Sequence, residues 1–207
     1  MTKRKSKHHW RSRQNKDLYF KKSKKHGFRS RSTFKLIEID AKYKILNPFN
    51  SILDLGSSPG GWSEYSVNKL NNKVTLIASD IISMEKIDNV EFFLGDFREH
   101  ETQKMILKGN SMNKFDLIIS DISPDKTGNN ITDQYHFYNI ANEILEFSKK
   151  GLKSKGTIVM KVFMGLGFEE FNKKSKKMFN KTAFFKPKSS RSESTETYLI
   201  ASTIRLE

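Results

Sequence analysis

Ser51-Ile-Leu-Asp-Leu-Gly-Ser-Ser-Pro-Gly-Gly-Trp62 reads as a short apolar strand that runs into a turn rich in glycine and proline and leaves it as a helix. Further apolar runs follow at residues 74–79, Val90–Leu94, Phe115–Ser120 and 157–163, with shorter ones at 183–185 and 197–204. Between them, apolar residues recur near helical spacing over residues 32–46, 62–70, 134–149 and 168–179, and Asn47-Pro48 predicts the end of the first of these. Strands alternating with helices imply a parallel sheet wrapped on both faces. The strand runs are continuously apolar rather than alternating, which fits burial on both faces. The expected fold class is α/β, a doubly wound sheet carrying a basic N-terminal extension.

Ligands of such sheets sit beyond the carboxyl ends of the strands, and here those ends carry chemistry. Asp80, Asp96 and Asp121 follow the second, third and fourth strands, and Lys161 lies within the fifth. One aspartate after a strand is ordinarily a helix cap; three in register beside a glycine-rich first turn point to a ligand. That turn, Gly56-x-x-x-Gly60-Gly61, is neither the G-x-G-x-x-G of dinucleotide binders nor a P-loop, and it holds no Lys or Arg to meet a pyrophosphate. Glycine lets backbone approach a ligand closely. Asp80, 24 residues after Gly56, is placed to accept hydrogen bonds from both hydroxyls of a ribose. A nucleoside without phosphates, beside several carboxylates, fits S-adenosylmethionine, whose sulfonium is cationic. The same turn disfavours a nicotinamide-linked oxidoreductase.

The 207 residues include 38 Lys+Arg against 23 Asp+Glu, a formal net charge of +15. The excess lies in two blocks: residues 1–49 hold 16 basic and 3 acidic side chains, and residues 149–191 hold 13 and 2. Residues 50–148, by contrast, hold 8 and 15. This pattern predicts that both blocks fold to one face and grip a polyanion, with Arg29, Arg31, Lys35 and the 173–191 block as the expected contacts. Phe179, Phe184 and Phe185, interleaved with those lysines, read as core. Cysteine is absent, which excludes disulfides, thiolate metal sites and a cysteine nucleophile. No apolar run approaches the roughly 20 residues of a membrane span, and the Lys/Arg/Ser/His head has neither a signal-peptide core nor the apolar face of a transit peptide. Five histidines lack ligand spacing apart from His8-His9, so no metal is expected. These features predict a soluble, cytoplasmic monomer.

Seven segments carry a likeness beyond composition: Gly27-Phe-Arg-Ser-Arg-Ser-Thr-Phe-Lys-Leu36, the stretch from Asp54 to Trp62, Gly95-Asp-Phe-Arg98, Ser120-Asp-Ile-Ser-Pro124, Val159-Met-Lys-Val-Phe163, Lys186-Pro-Lys-Ser-Ser-Arg191 and Glu196-Thr-Tyr198. Together they resemble the FtsJ/RlmE-type ribose 2′-O-methyltransferases, from about residue 10 to the C-terminus. The resemblance implies the Rossmann-like methyltransferase fold, a mostly parallel seven-stranded sheet with an antiparallel last strand. It implies S-adenosyl-L-methionine as cofactor, held at Gly60, Trp62, Asp80, Asp96 and Asp121 beside Gly56 of the first turn. It implies a catalytic tetrad at Lys35, Asp121, Lys161 and Glu196. Two departures stand out: Ser57-Ser58 where the bacterial enzymes commonly carry Ala-Ala, and Ser-Asp-Ile-Ser-Pro-Asp125 in place of Ser-Asp-Met-Ala-Pro-Asn. None of the tetrad is missing.

The roles implied for these residues follow from the acceptor. A ribose 2′-hydroxyl is a weak nucleophile that must lose its proton while aligned with the S–methyl bond. Lys161 is the natural base, although a free lysine, with a pKa of about 10.4, is mostly protonated at neutrality. Burial and a second cation would lower that value; Asp121 would raise it but orient the amine. Lys35 supplies the second cation and would hold a phosphate or the 2′-oxygen. Glu196 would position Lys35 or the ribose, with Glu193 near enough in sequence to compete. The implied reaction is methylation of a uridine ribose in the A-loop of 23S ribosomal RNA, on the large ribosomal subunit. A tRNA or an mRNA cap are alternative acceptors, and a non-catalytic RNA-binding assembly factor is the alternative of another class. Residues 1–30 are then expected to form a partly disordered, RNA-contacting extension, and residues 31–207 the methyltransferase domain.

Overall fold

Every residue of the first strand, β1 (Ser51–Leu55), is buried, because it lies mid-sheet with strands on both edges and helices on both faces. The computed structural model describes residues 17–48, 50–124 and 127–205. Two helices precede β1, α1 (Leu18–Lys25) and α2 (Thr33–Tyr43). After it come α3 (Gly61–Lys69), β2 (Thr75–Asp80), β3 (Val90–Leu94), α4 (His100–Gly109) and β4 (Phe115–Ser120). The chain continues through α5 (Asn130–Gly151), β5 (Leu152–Phe163), α6 (Phe168–Met178), β6 (Phe179–Phe185) and β7 (Glu196–Ile204). The seven strands lie in the order β3-β2-β1-β4-β5-β7-β6. All pairings from β3 to β5 are parallel, and β7 runs antiparallel to both β5 and β6. This is the expected Rossmann-like methyltransferase sheet. The chain winds outward from β1 to β3 on one side and from β4 on the other, which makes the β1/β4 boundary the point where a ligand crevice opens.

Alternate residues of each strand feed two cores. Leu53, Leu55, Ile118, Ile158 and Leu199 pack with Ile106 of α4, Phe137 and Ile144 of α5, and Phe171 of α6. On the other face Ile52, Leu76, Leu117, Val159 and Tyr198 pack with Leu36 and Ile39 of α2 and Trp62 and Val67 of α3. Each such side chain contributes about 1.5–3 kcal/mol by leaving water. Two close approaches fix the helices over the site. Gly56 adopts φ +73°, and a Cβ there would lie 2.2 Å from Ile122 Cγ1. A Cβ on Gly61 would meet Thr33 Oγ1 at 2.6 Å, so the first turns of α2 and α3 touch only because that side chain is missing.

The structure departs from the sequence reading at several ends. The helix expected over residues 32–46 stops at Tyr43, because Lys44 turns left-handed (φ 53°) and the buried Asp40 carboxylate accepts the Leu46 N–H at 2.9 Å. Asp40 also pairs with Lys69 Nζ at 2.9 Å, tying α2 to α3. Two helices escaped the pattern. In α1 the apolar residues are few, and an Asp17 cap accepting from the Tyr19 and Phe20 N–H groups starts the turn; in α4 only Thr102 and Ile106 are buried. Strand β5 starts at Leu152, ahead of the expected 157, with a register irregularity opposite β4 between Leu152 and Thr157. Strand β6 starts at Phe179 rather than residue 183. Residues 17–30 of the expected extension pack on α2 through Tyr19–Phe34 and Phe28–Phe34 ring contacts, both 5.4 Å. The rest of that extension, with His8-His9, and Asp125 lie outside the described residues. Among the described residues no helix is long and apolar enough to cross a membrane.

Candidate active site

Four charged side chains, three from separate elements and one from the loop after β4, converge beyond the carboxyl ends of β4 and β5. Lys161, third from the carboxyl end of β5, places Nζ 2.9 Å from Asp121 Oδ1 and donates to the Asp121 carbonyl at 2.8 Å. Lys35, from the first turn of α2, lies 3.7 Å from the same Oδ1 and 2.9 Å from Glu196 Oε1. Lys35 and Lys161 are each only 7 % exposed and Glu196 9 %, so neither lysine is a solvated surface charge. Buried charges persist only when paired, and here two lysines face two carboxylates. Burial would raise the Asp121 pKa, but Lys161 and Lys35 hold it below the usual carboxylate range. The same contest, with Lys35 foremost among the cations, holds Glu196 low. Glu193, the sequence competitor, is exposed and accepts from the Ser192 hydroxyl.

Tyr198 completes the cluster and was absent from the expected set. Its hydroxyl donates to Asp121 Oδ1 at 2.5 Å, and Lys35 Nζ lies 5.6 Å from its ring centre. Burial, then the Asp121 charge, pushes the phenol well above its ordinary pKa, so it remains a donor. The signal was present in the sequence: residues two apart on a strand share a face, so a functional Glu196 carries Tyr198 with it.

A cavity of about 440 Å³ opens beside Asp121 at the ends of β1 to β4. Gly56, Asp80, Asp96 and Asp121 line it, together with the apolar Ile81 and Ile82 that the sequence reading passed over. Asp80 accepts the Ser58 N–H at 2.8 Å and the Ile82 N–H at 2.9 Å, which fixes its carboxylate at the rim. Asp96 accepts from Arg98 Nε at 2.9 and 3.0 Å, and that guanidinium holds its pKa low despite burial. The structure does not bring Gly60 or Trp62 into the lining. Gly60 caps α3 at φ +101°. Trp62 is buried, donates Nε1 to the Ser32 carbonyl at 2.8 Å and sits 5.8 Å from the Tyr198 ring, where it braces the wall behind Lys35. Beneath the cavity floor, Asp54 is 1 % exposed and accepts from Ser63 Oγ at 2.6 Å. Burial, with added repulsion from Asp121 and Asp80, pushes its carboxyl up to about 7.

The basic residues divide. Arg29, expected to face a polyanion, is bound to protein instead: Nε pairs with Glu64 at 3.0 Å, and Nη1 and Nη2 donate to the Glu85 and Lys86 carbonyls at 2.8 and 3.0 Å. A guanidinium has five donors, and a loop offering carbonyls competes well for them. Arg31 pairs with Asp17 and donates to the Ser189 carbonyl, while Glu38 of α2 accepts the Ser189 N–H at 2.9 Å and the Lys188 N–H at 2.5 Å. These contacts bring the segment 186–191 against α1 and α2, so parts of both basic blocks meet beside Lys35.

Comparison with known proteins gives a consistent picture. The model of the FtsJ-like methyltransferase family matches residues 28–203. The ribosomal RNA large subunit methyltransferase E of Legionella pneumophila (strain Lens) is 38 % identical over 201 residues, covering 97 % of this chain and 98 % of the relative. That of Buchnera aphidicola subsp. Schizaphis graminum is 41 % identical over 196 residues, covering 95 % of each. A crystal structure described as a ribosomal RNA methyltransferase from Plasmodium falciparum superposes with a TM-score of 0.75 at 30 % identity, over 86 % of this chain and 98 % of that one. Human methyltransferase-like protein 13, solved with SAH, shares the fold at 14 % identity and a TM-score of 0.55, over 83 % and 79 % of the two chains.

Proposed function

This chain belongs to the FtsJ-like methyltransferase family, and on that footing we propose that it uses S-adenosylmethionine to methylate a uridine ribose 2′-hydroxyl in 23S ribosomal RNA. The observation that carries the reading is the meeting of Lys161 and Lys35 on one oxygen of Asp121, at the wall of the cavity. Relatives named for the ribosomal large subunit favour ribosomal RNA over a tRNA or a cap as acceptor. The proposed setting is the large subunit in the cytoplasm, with the protein acting as a monomer.

The residues present fit the cofactor. About 440 Å³ lies within the range of small-ligand sites. Asp80 retains lone pairs for a ribose diol, Ile81 and Ile82 offer apolar contact to a base, and Asp121 and Asp96 favour a cation. Bound there, S-adenosylmethionine supplies an activated methyl group and a neutral leaving group.

The chain's own part is to orient and deprotonate the acceptor. An uncharged amine has two N–H groups, and the Asp121 side chain and carbonyl accept both from Lys161. Its lone pair then occupies the remaining tetrahedral position, turned away from Asp121, where it takes the 2′-hydroxyl proton. Lys35, paired with Glu196, is placed to meet the developing alkoxide or the adjoining phosphate. Tyr198 and Lys161 hold Asp121 so that it cannot swing to accept the proton itself. Alignment of this kind is worth up to about 7–11 kcal/mol. The reading is tested by transfer of labelled methyl from S-adenosylmethionine to undermethylated large subunits, followed by mapping of the labelled nucleotide. Undiminished transfer by Lys161→Ala would overturn it.

A further inference from the structure

A second, smaller cavity of about 110 Å³ lies on the far side of the Ser123-Pro124 loop, which lines both cavities. Its other walls are Asn130, Asp133, Gln134 and Phe137 of α5, Phe163 at the end of β5, and Thr195 next to Glu196; Asp133 Oδ1 accepts from the Thr127 N–H and hydroxyl at 2.7 and 2.6 Å. Phe163 is the strand partner of Glu196 and follows Lys161 by two residues. The second cavity therefore adjoins the Lys35–Asp121–Lys161–Glu196 cluster through Phe163 and Thr195, and shares the Ser123-Pro124 loop with the first. Resting on the reading that the acceptor is a ribose 2′-hydroxyl at Lys161, we propose that this second cavity receives the base of the nucleoside being methylated, and that Gln134 reads it.

Size and chemistry both select. A cavity of ~150 Å³ holds one benzene ring, so about 110 Å³ admits a single-ring base only in part, the rest projecting at its mouth, and leaves no room for a fused one. Phe137 and Phe163 meet edge to face at 4.8 Å and present an apolar wall for the ring. Tyr138 donates to the Phe163 carbonyl at 2.5 Å and pins that wall. Gln134 Oε1 accepts the Leu166 N–H at 2.5 Å, which fixes the amide's orientation. Its amide nitrogen makes no hydrogen bond among the described residues. The amide thus offers donors to the cavity, which suits the carbonyl O4 of uracil and opposes the amine at the same position of cytosine.

The experiment uses large subunits whose methylated position, mapped with the wild-type protein, carries uridine, cytidine or adenosine. Wild-type protein is expected to favour uridine over cytidine by at least about tenfold, with adenosine at background. Gln134→Glu keeps the oxygen that accepts from Leu166 but replaces the donor with a carboxylate oxygen, which accepts from the cytosine amine. It should lower kcat/KM on uridine by about ten- to a hundredfold, shift the preference towards cytidine and leave S-adenosylmethionine affinity unchanged by calorimetry. Gln134→Leu, lacking both groups, should lose discrimination without inverting it. Equal methylation of adenosine and uridine, or a uridine-to-cytidine ratio unchanged in Gln134→Glu, overturns the proposal while leaving the reaction assigned. Absence of transfer by the wild-type protein would mark failure of the underlying reading, and the proposal falls with it.

Discussion

Lys161 Nζ sits 2.9 Å from Asp121 Oδ1 and is nearly buried. Its charge state, rather than its mere presence, then decides activity. Lys161→Arg retains a cation beside Asp121, but a guanidinium stays protonated under any physiological condition and cannot act as a base. We expect Lys161→Arg to lose about 10²–10⁴-fold in kcat, as much as Lys161→Ala, with S-adenosylmethionine binding intact. Single-turnover methylation alongside calorimetry measures both. An active Lys161→Arg enzyme would assign the proton transfer elsewhere.

Tyr198 and Glu196 act through their partners. Tyr198→Phe removes the hydroxyl that donates to Asp121 Oδ1 while keeping the ring against Trp62. Hydrogen bonds to charged groups are worth about 1.5–3 kcal/mol, so kcat should fall by roughly tenfold or more while the fold survives. Glu196→Gln leaves Lys35 hydrogen-bonded but strips its counter-charge. The loss should be similar in kcat, and the two substitutions should be non-additive, because both relax the same Asp121–Lys35 pair. A double-mutant cycle in kcat checks the coupling.

Asp54 gives a pH dependence with a definite sign. Burial raises its folded pKa to about 7 from an unfolded value near 3.8, so the folded protein binds a proton the unfolded chain has released. The contribution of Asp54 to stability therefore falls as pH rises from about 4 to 7, by up to a few kcal/mol. Asp54→Asn keeps an acceptor for Ser63 Oγ and cannot ionise. Its stability relative to wild type should increase across that window and level off above pH 7. Urea unfolding at pH 5 and pH 8 measures the difference, and a pH-independent difference would count against the raised value.

The sheet and two members of the cluster were legible in the sequence for the same reason, while Lys35 and Glu196 were reached only through the family resemblance. Continuous apolar runs mark strands buried on both faces, and a lysine or aspartate set into or just after such a run has to be met by a partner. Lys161 and Asp121 stood out on that ground, and the structure puts them in contact. What stayed hidden depends on long-range contact rather than pattern. The left-handed Lys44 that ends α2 answers to Asp40, and the donors of Arg29 are taken up by carbonyls more than 50 residues away. Helices α1 and α4 bury so few side chains that no periodicity betrays them.

The docking of segment 186–191 yields a final prediction, about how the nucleic acid is held. Glu38 accepts the Lys188 and Ser189 N–H groups, which fixes the basic loop to α2. Phosphate contacts release counterions, so binding to the large subunit should weaken by about 10³-fold between 50 and 200 mM salt if some six phosphates are engaged. Lys188→Ala removes a charge and should reduce the logarithmic salt slope by about one. Glu38→Ala removes no basic group but frees the loop. It should lower stability by about 1–2 kcal/mol, or roughly 2–8 °C in melting temperature, and weaken RNA affinity at every salt concentration with little change in slope. Filter binding across a salt series separates the two effects. Unchanged RNA affinity in Glu38→Ala would mean that the carboxylate orders the loop too weakly to matter, and that charge alone governs the grip.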